Sequence, residues 1–207
     1  MSRKKSSSRW LARQRQDHYV AQAQSEGYRS RAVYKLQELN EKYDLIKSKQ
    51  IIVDLGAAPG AWSQYCVEKT NKSQTTVIAL DILTMNEIDG VTVITGDFTE
   101  NKALEELVQV LSGKPVDLVL SDMAPNISGN KAVDQPKSMY LCELALDFAR
   151  QHLKNDGAFV VKLFQGVGYP PYIADLKSTF KQVSMVKPQA SRKESSEMYA
   201  VARGFGL

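Results

Sequence analysis

Five short apolar runs recur along the chain, "IIVDL", "TTVIALD", "VTVITGD", "VDLVLSD" and "AFVVKLF", with stretches such as "KALEELVQVL" and "SMYLCELALDFARQHL" between them. The runs have the length and composition of buried strands, and the segments between them repeat their apolar residues at helical spacing. Alternation of this kind builds βαβ units and hence a parallel sheet. Near the end the pattern changes: only "QASRKES" separates "KQVSMVKP" from "SEMYAVARGF", so these two are predicted to form an antiparallel pair on the otherwise parallel sheet. Before the first strand, "SRAVYKLQELNEKY" places Val33, Leu36, Leu39 and Tyr43 at helical spacing, with Ser30 as the expected N-cap. The expected fold is α/β, a mostly parallel seven-stranded sheet with an antiparallel C-terminal strand pair and helices on both faces.

Length and composition bound the rest. At 207 residues and 43% hydrophobic, the chain is expected to be one domain with a substantial core. No apolar run approaches the roughly 20 residues that cross a bilayer, and "MSRKKSSSRW" lacks the apolar stretch of a secretory signal, so a cytoplasmic protein is expected. Cys66, Cys142, His18 and His152 are scattered without ligand spacing, so neither a disulfide nor a metal held by the protein is expected. Charge is unevenly divided. Residues 1–31 carry eight basic side chains against Asp17 and Glu26, a net +6, which leaves −2 for the remainder of a chain whose total is +4. A slightly acidic body with a basic arm, drawn at residues 1–29, suits a nucleic-acid partner; a solubilising tail or a transit peptide is the plainer account.

In open parallel sheets ligands bind outside the carboxyl ends of the strands. Those ends are acidic here: Asp54-Leu55-Gly56, Asp81, Gly96-Asp97-Phe98 and Ser121-Asp122, with Lys162 at the fifth. After the first strand comes "VDLGAAPGAW", where Gly56 and Gly60 remove side chains from the turn and let a ligand approach the backbone. The stretch has neither the register of a dinucleotide fingerprint nor the Gly-Lys-Ser/Thr of a P-loop. Asp81, about twenty residues past Gly60, sits where an acid grips ribose hydroxyls in this architecture. A nucleoside without phosphates fits both features, and S-adenosylmethionine is the common cofactor of that description. Its amino-acid end is expected over the glycine loop, its ribose on Asp81, its adenine near Asp97 and Phe98, and Trp62 as a wall beside the methionine moiety.

Taken in order, "SSSRWL", "SRAVYKL", "VDLGAAPGAWSQY", "SDMAPNISG", "MYLCELAL", "FVVKLFQG" and "SEMY" resemble the FtsJ/RrmJ family of ribose 2′-O-methyltransferases, essentially from end to end. The resemblance implies a Rossmann-like, S-adenosylmethionine-dependent methyltransferase acting on a uridine ribose of 23S ribosomal RNA within the large subunit, as a monomer. It further implies a Lys–Asp–Lys–Glu tetrad around the transferred methyl, falling on Lys35, Asp122, Lys162 and Glu197, and cofactor contacts at Gly60, Trp62, Asp81, Asp97 and Asp122. The loop departs from the family's frequent Ala-Pro-Gly-Gly-Trp in that Ala61 replaces the second glycine.

The chemistry agrees. A ribose hydroxyl is a poor nucleophile, so a base must take its proton as the methyl moves. Lys162 fills that role only when neutral, a state favoured by burial and by a neighbouring cation, for which Lys35 is expected; Asp122 and Glu197 are expected to orient the amine and the hydroxyl. Transfer to a base amine would favour an Asn/Asp-Pro-Pro-aromatic motif where "SDMAPN" stands, and transfer to a pyrimidine carbon needs a nucleophilic cysteine. A nucleotide-dependent oxidoreductase and a non-catalytic RNA-binding module are the alternatives from other classes.

Overall fold

The computed structural model describes residues 17–70, 74–192 and 194–206. The elements run α1 (His18–Ser25), α2 (Val33–Tyr43), β1 (Ile51–Leu55), α3 (Ala61–Lys69), β2 (Thr76–Asp81), β3 (Val91–Thr95), α4 (Asn101–Leu111), β4 (Val116–Ser121), α5 (Lys131–His152), β5 (Leu153–Phe164), α6 (Tyr169–Thr179), β6 (Phe180–Val186) and β7 (Glu197–Phe205). They form one seven-stranded sheet in the order β3-β2-β1-β4-β5-β7-β6. β1 pairs in parallel with both β2 and β4, and β4 with β5. β7 enters antiparallel between β5 and β6, as the missing helix between the last two strands requires. Strand order reverses between β1 and β4, which opens a crevice at their carboxyl ends.

The strand sequences read as unbroken apolar runs because both faces of the sheet are covered. Along β1, Ile52 belongs to a core under α1, α2 and α3 that also holds Leu36, Leu39, Cys66, Leu118 and Val201. Its neighbours Val53 and Leu55 face the opposite way, into a core with Leu107 of α4, Leu146 of α5 and Leu176 of α6. α4 shows how the pattern acts locally: Ala103, Leu107 and Leu111 recur every four residues and are its buried residues. Burying a leucine as completely as Leu107 contributes roughly 2 kcal/mol.

Two local expectations are revised. Ser30 does not cap α2: the helix begins at Val33 after Ala32, and the Ser30 hydroxyl accepts only the Ala32 N–H, at 3.3 Å, in the turn before it. Residues 17–29, counted with the basic arm, include α1, which is capped by Asp17 and buries Ala23 in the core. Residues 1–16, which hold six of the arm's basic side chains, lie outside the described residues. No described helix is long and apolar enough to cross a membrane.

Candidate active site at the carboxyl ends of the strands

Pairing of β5 with β7 sets Lys162 opposite Tyr199 and Phe164 opposite Glu197. Residues two apart on a strand share a face, so Glu197 and Tyr199 both turn toward the side from which Lys162 projects. Asp122 follows β4 directly, its backbone N–H held by Leu55 O at 3.0 Å. Lys35, the third residue of α2, completes the group. Lys162 Nζ lies 3.0 Å from Asp122 Oδ1 and donates to Asp122 O at 2.5 Å. Lys35 Nζ lies 2.7 Å from Glu197 Oε1. The structure therefore brings together all four residues of the expected tetrad, as two ion pairs.

Tyr199 joins the pairs. Its hydroxyl donates to Asp122 Oδ1 at 2.6 Å and accepts from Lys35 Nζ at 3.3 Å. Burial, then the Asp122 and Glu197 carboxylates, push that phenol well above its ordinary pKa, so it stays a neutral donor. Burial alone would raise the Asp122 carboxyl, but Lys162, Lys35 and the Tyr199 hydroxyl together outweigh it and hold Asp122 below the usual carboxylate range. Sequence reasoning did not single out Tyr199; the signal was its spacing of two from Glu197 on a strand. Lys35, the cation expected beside Lys162, is paired with Glu197, and its charge also reaches Asp122.

Beside the tetrad lies the turn after β1. Gly56 and Gly60 have φ of +76° and +104°. A Cβ on Gly56 would come within 2.8 Å of Met123 N and Cα, and one on Gly60 within 2.7 Å of Ile88 Cδ1. The approach that demands glycine is thus made by neighbouring loops of the chain itself. Asp81 holds the turn from the other side, Oδ2 accepting Ala58 N–H at 2.9 Å and Oδ1 accepting Leu83 N–H at 2.8 Å. Asp97 Oδ1 accepts the N–H and the hydroxyl of Thr99 at 2.9 and 2.7 Å. Arg29, assigned by its sequence position to the arm, in fact clamps this region: its guanidinium donates to Pro59 O at 3.2 Å and to Asn86 O and Glu87 O at 2.6 Å each. Nothing local in the sequence announces that role, since its partners lie 30 to 58 residues away.

The two aromatic rings expected at the cofactor are both buried and pack into the core. Trp62 is 3% exposed, donates its indole N–H to Ala32 O at 2.7 Å and backs Tyr199 at 5.8 Å between ring centroids. It anchors α3 to the start of α2. Phe98 is 8% exposed and meets Phe148 edge-on at 5.9 Å. Conversely, Asp54 proves unusual: it is fully buried, with Oδ2 accepting the Ser63 hydroxyl at 2.6 Å and Oδ1 without a hydrogen-bond partner among the described residues. Burial, reinforced by the like charges of Asp122 and Asp81, lifts its pKa to about 7 despite the Ser63 hydrogen bond. Three acids that feel one another around a glycine turn suit a ligand carrying positive charge and hydroxyl groups. Both cysteines are buried; burial raises the Cys66 thiol well above its usual value and pushes Cys142 up to about 12, so neither is a thiolate nucleophile. Cys142 Sγ instead donates to Lys162 O at 3.2 Å, bracing the strand under the tetrad.

The family model of the FtsJ-like methyltransferases matches residues 28–205. Among curated relatives, the chain is 54% identical over 205 residues to the ribosomal RNA large subunit methyltransferase E of Alkalilimnicola ehrlichii, covering 99% of this chain and 98% of that one. It is 53% identical over 201 residues to the protein of that name from Neisseria gonorrhoeae, with 97% of each covered. For Legionella pneumophila the identity is 50%, over the whole of both chains. A crystal structure of a Plasmodium falciparum protein assigned as a ribosomal RNA methyltransferase superposes with a TM-score of 0.78 at 33% identity, covering 86% of this chain and 98% of that one. A Streptococcus mutans protein assigned as a methyltransferase and solved with SAH shares the fold at a TM-score of 0.52 and 11% identity, covering 82% and 97%. The architecture is the Rossmann-like fold of the S-adenosylmethionine-dependent methyltransferases, and the chain belongs to the FtsJ-like methyltransferase family.

Proposed function

We propose that this protein methylates the 2′-hydroxyl of a ribose, that of a uridine in the 23S RNA of the large ribosomal subunit, using S-adenosylmethionine. The observation that carries the reading is the convergence of Lys35, Asp122, Lys162 and Glu197 at the strand ends, tied into one network by Tyr199. The names of the relatives support the RNA and the subunit. Gly60, Asp81, Asp97 and Asp122 are the residues that would hold the cofactor, with Trp62 as support behind Tyr199 and Phe98 behind Asp97. When bound, the cofactor supplies a methyl group on a positively charged sulfur, which suits the acidic surroundings.

The chain's own residues bind, orient and move one proton. Lys162 Nζ accepts the proton of the 2′-hydroxyl as its oxygen becomes the nucleophile, having first lost one of its own protons to solvent. Asp122 fixes the position of that amine through its side chain and its backbone carbonyl. Tyr199 and the Lys35–Glu197 pair hold Asp122 and the hydroxyl in line, so that little rearrangement remains at the moment of transfer. The basic residues 1–15 lie on RNA phosphates, and residues 30–207 carry the chemistry, in a monomer working in the cytoplasm. The test is to incubate the protein and S-adenosylmethionine with large subunits from a strain that lacks it, then map 2′-O-methyl groups. One new 2′-O-methyluridine is expected in 23S RNA; a methyl on a base, or none, would overturn the assignment.

A further inference from the structure

Asp17 is the first residue that the structure describes, directly after the basic stretch of the sequence. Its Oδ1 caps α1 by accepting the Tyr19 N–H at 3.2 Å. Its Oδ2 is bonded by Arg31 Nη1 and lies 3.9 Å from Arg192 Nε, so one carboxylate stands between two guanidinium groups. The Asp17 side chain is 13% exposed and that of Arg31 16%, whereas Arg192 is 46% exposed. Arg31 is held from its other side too, by a bond to Ala190 O and by the Tyr19 ring beneath it at 5.3 Å. It is therefore a preorganised fork, already aimed at an anion.

That fork opens onto the tetrad. A cavity of about 320 Å³ is lined by Ser30, Arg31, Lys35, Arg192, Ser195 and Glu197, so the arginine pair and the Lys35–Glu197 pair share one space. Its size is at the lower end for ligand pockets, roughly 300 to 1,000 Å³. Four cationic or hydroxyl-bearing residues beyond the ion pair are more donors than the ribose hydroxyl needs. Guanidinium groups take carboxylate and phosphate oxygens by the same two-pronged geometry, and phosphate offers more acceptor oxygens.

We propose that Arg31 and Arg192 seat the backbone phosphate flanking the target ribose, and that the Asp17 carboxylate occupies this seat in the free protein and gives way to the phosphate when RNA binds. The proposal rests on the reading of the chain as an RNA ribose methyltransferase and adds to it a specific phosphate site and an internal competitor for that site. Asp17 thereby sets a threshold: an anion that cannot reach both arginines does not displace it, so only RNA seated at the tetrad gains the contact.

The test is Asp17→Asn, which keeps a good N-cap for α1 but removes the charge. Binding of an unmodified 23S RNA transcript is measured against salt, alongside methyl transfer under single-turnover conditions. The variant should bind roughly 2- to 10-fold more tightly, the worth of a partly buried ion pair. The slope of log affinity against log salt should steepen by about one, because the arginine pair in the free variant holds a salt ion that RNA releases. The rate at saturating RNA should not change. Arg192→Ala should weaken binding, and in its background the gain from Asp17→Asn should disappear. Should Asp17→Asn lower the melting temperature, Asp17→Ser gives the same comparison with another capping residue. Unchanged or weaker affinity with an unchanged slope in both overturns the proposal. These binding changes, together with no methyl on ribose when unmodified large subunits are the substrate, would sink the functional reading and leave the phosphate site standing.

Discussion

Replacing Asp54 with asparagine should change how the stability of the protein depends on pH. The carboxyl is fully buried beneath the glycine turn, and its pKa of about 7 compares with 3.8 for an ordinary aspartate. In the unfolded chain the proton leaves near 3.8, whereas in the folded chain it leaves near 7. Between these values the folded state binds more protons than the unfolded state, so the free energy of unfolding falls as pH rises. The contribution is fully present below about pH 4 and is lost progressively on approach to pH 7. At 1.36 kcal/mol per unit, a shift of roughly three units corresponds to about 4 kcal/mol. Asparagine has the same shape and no titration, so Asp54→Asn removes this component alone, and the other titrating groups cancel in the comparison. Urea unfolding of both proteins from pH 4 to 8 is the assay. The difference in stability between variant and wild type should move by about 4 kcal/mol in favour of the variant over that range. Two curves that stay parallel to within about 0.5 kcal/mol would refute the reasoning, because they would mean that Asp54 carries the same charge in both states.

At the turn after β1, Asp81→Ala strips the partner from Ala58 N–H and removes the proposed contact to ribose hydroxyls; calorimetry should show S-adenosylmethionine bound about 1 to 3 kcal/mol more weakly, and equal affinity would remove Asp81 from the site. Tyr199→Phe keeps the ring against Trp62 but cuts the link between the two ion pairs, so single-turnover methyl transfer should fall about 10-fold or more with cofactor affinity unchanged; an unaltered rate would make the hydroxyl mere packing. Deleting residues 1–15 should flatten the salt dependence of RNA affinity and leave cofactor binding alone, while an unchanged slope would return the segment to a solubilising role.

How much of this was legible in advance follows from which interactions are local. The strands announced themselves because a sheet covered on both faces needs unbroken apolar runs, and the antiparallel end followed from a connection too short for a helix. The tetrad was named because its four residues sit in recognisable motifs, and the structure brings them within ion-pairing distance. What escaped were long-range pairings. Tyr199 acts through Asp122, 77 residues away, and Arg29 through carbonyls on two other loops. Trp62 follows the glycine turn, a position compatible with either a ligand or the core, and its bond to the Ala32 carbonyl, 30 residues earlier, is not readable from that position. Asp54 reads in sequence as one more acid at a strand end, and only full burial separates it from Asp81 and Asp97. The glycines were read as room for a ligand against the backbone; in the structure a Cβ at either would meet Met123 or Ile88.

The central claim is that Lys162 accepts the proton of the attacking hydroxyl, and Lys162→Arg tests it most directly. Arginine preserves the positive charge beside Asp122 and can reach similar partners, but guanidinium does not deprotonate in a protein. The measurement is the single-turnover rate of methyl transfer to unmodified large subunits, with S-adenosylmethionine saturating, for wild type, Lys162→Arg and Lys162→Ala. If Lys162 is the base, both variants should bind cofactor normally and lose roughly 10²- to 10⁴-fold in rate, or about 3 to 5 kcal/mol of barrier. An arginine variant that methylates at close to the wild-type rate would contradict the account, since a fixed positive charge would then suffice and the proton would leave by another route.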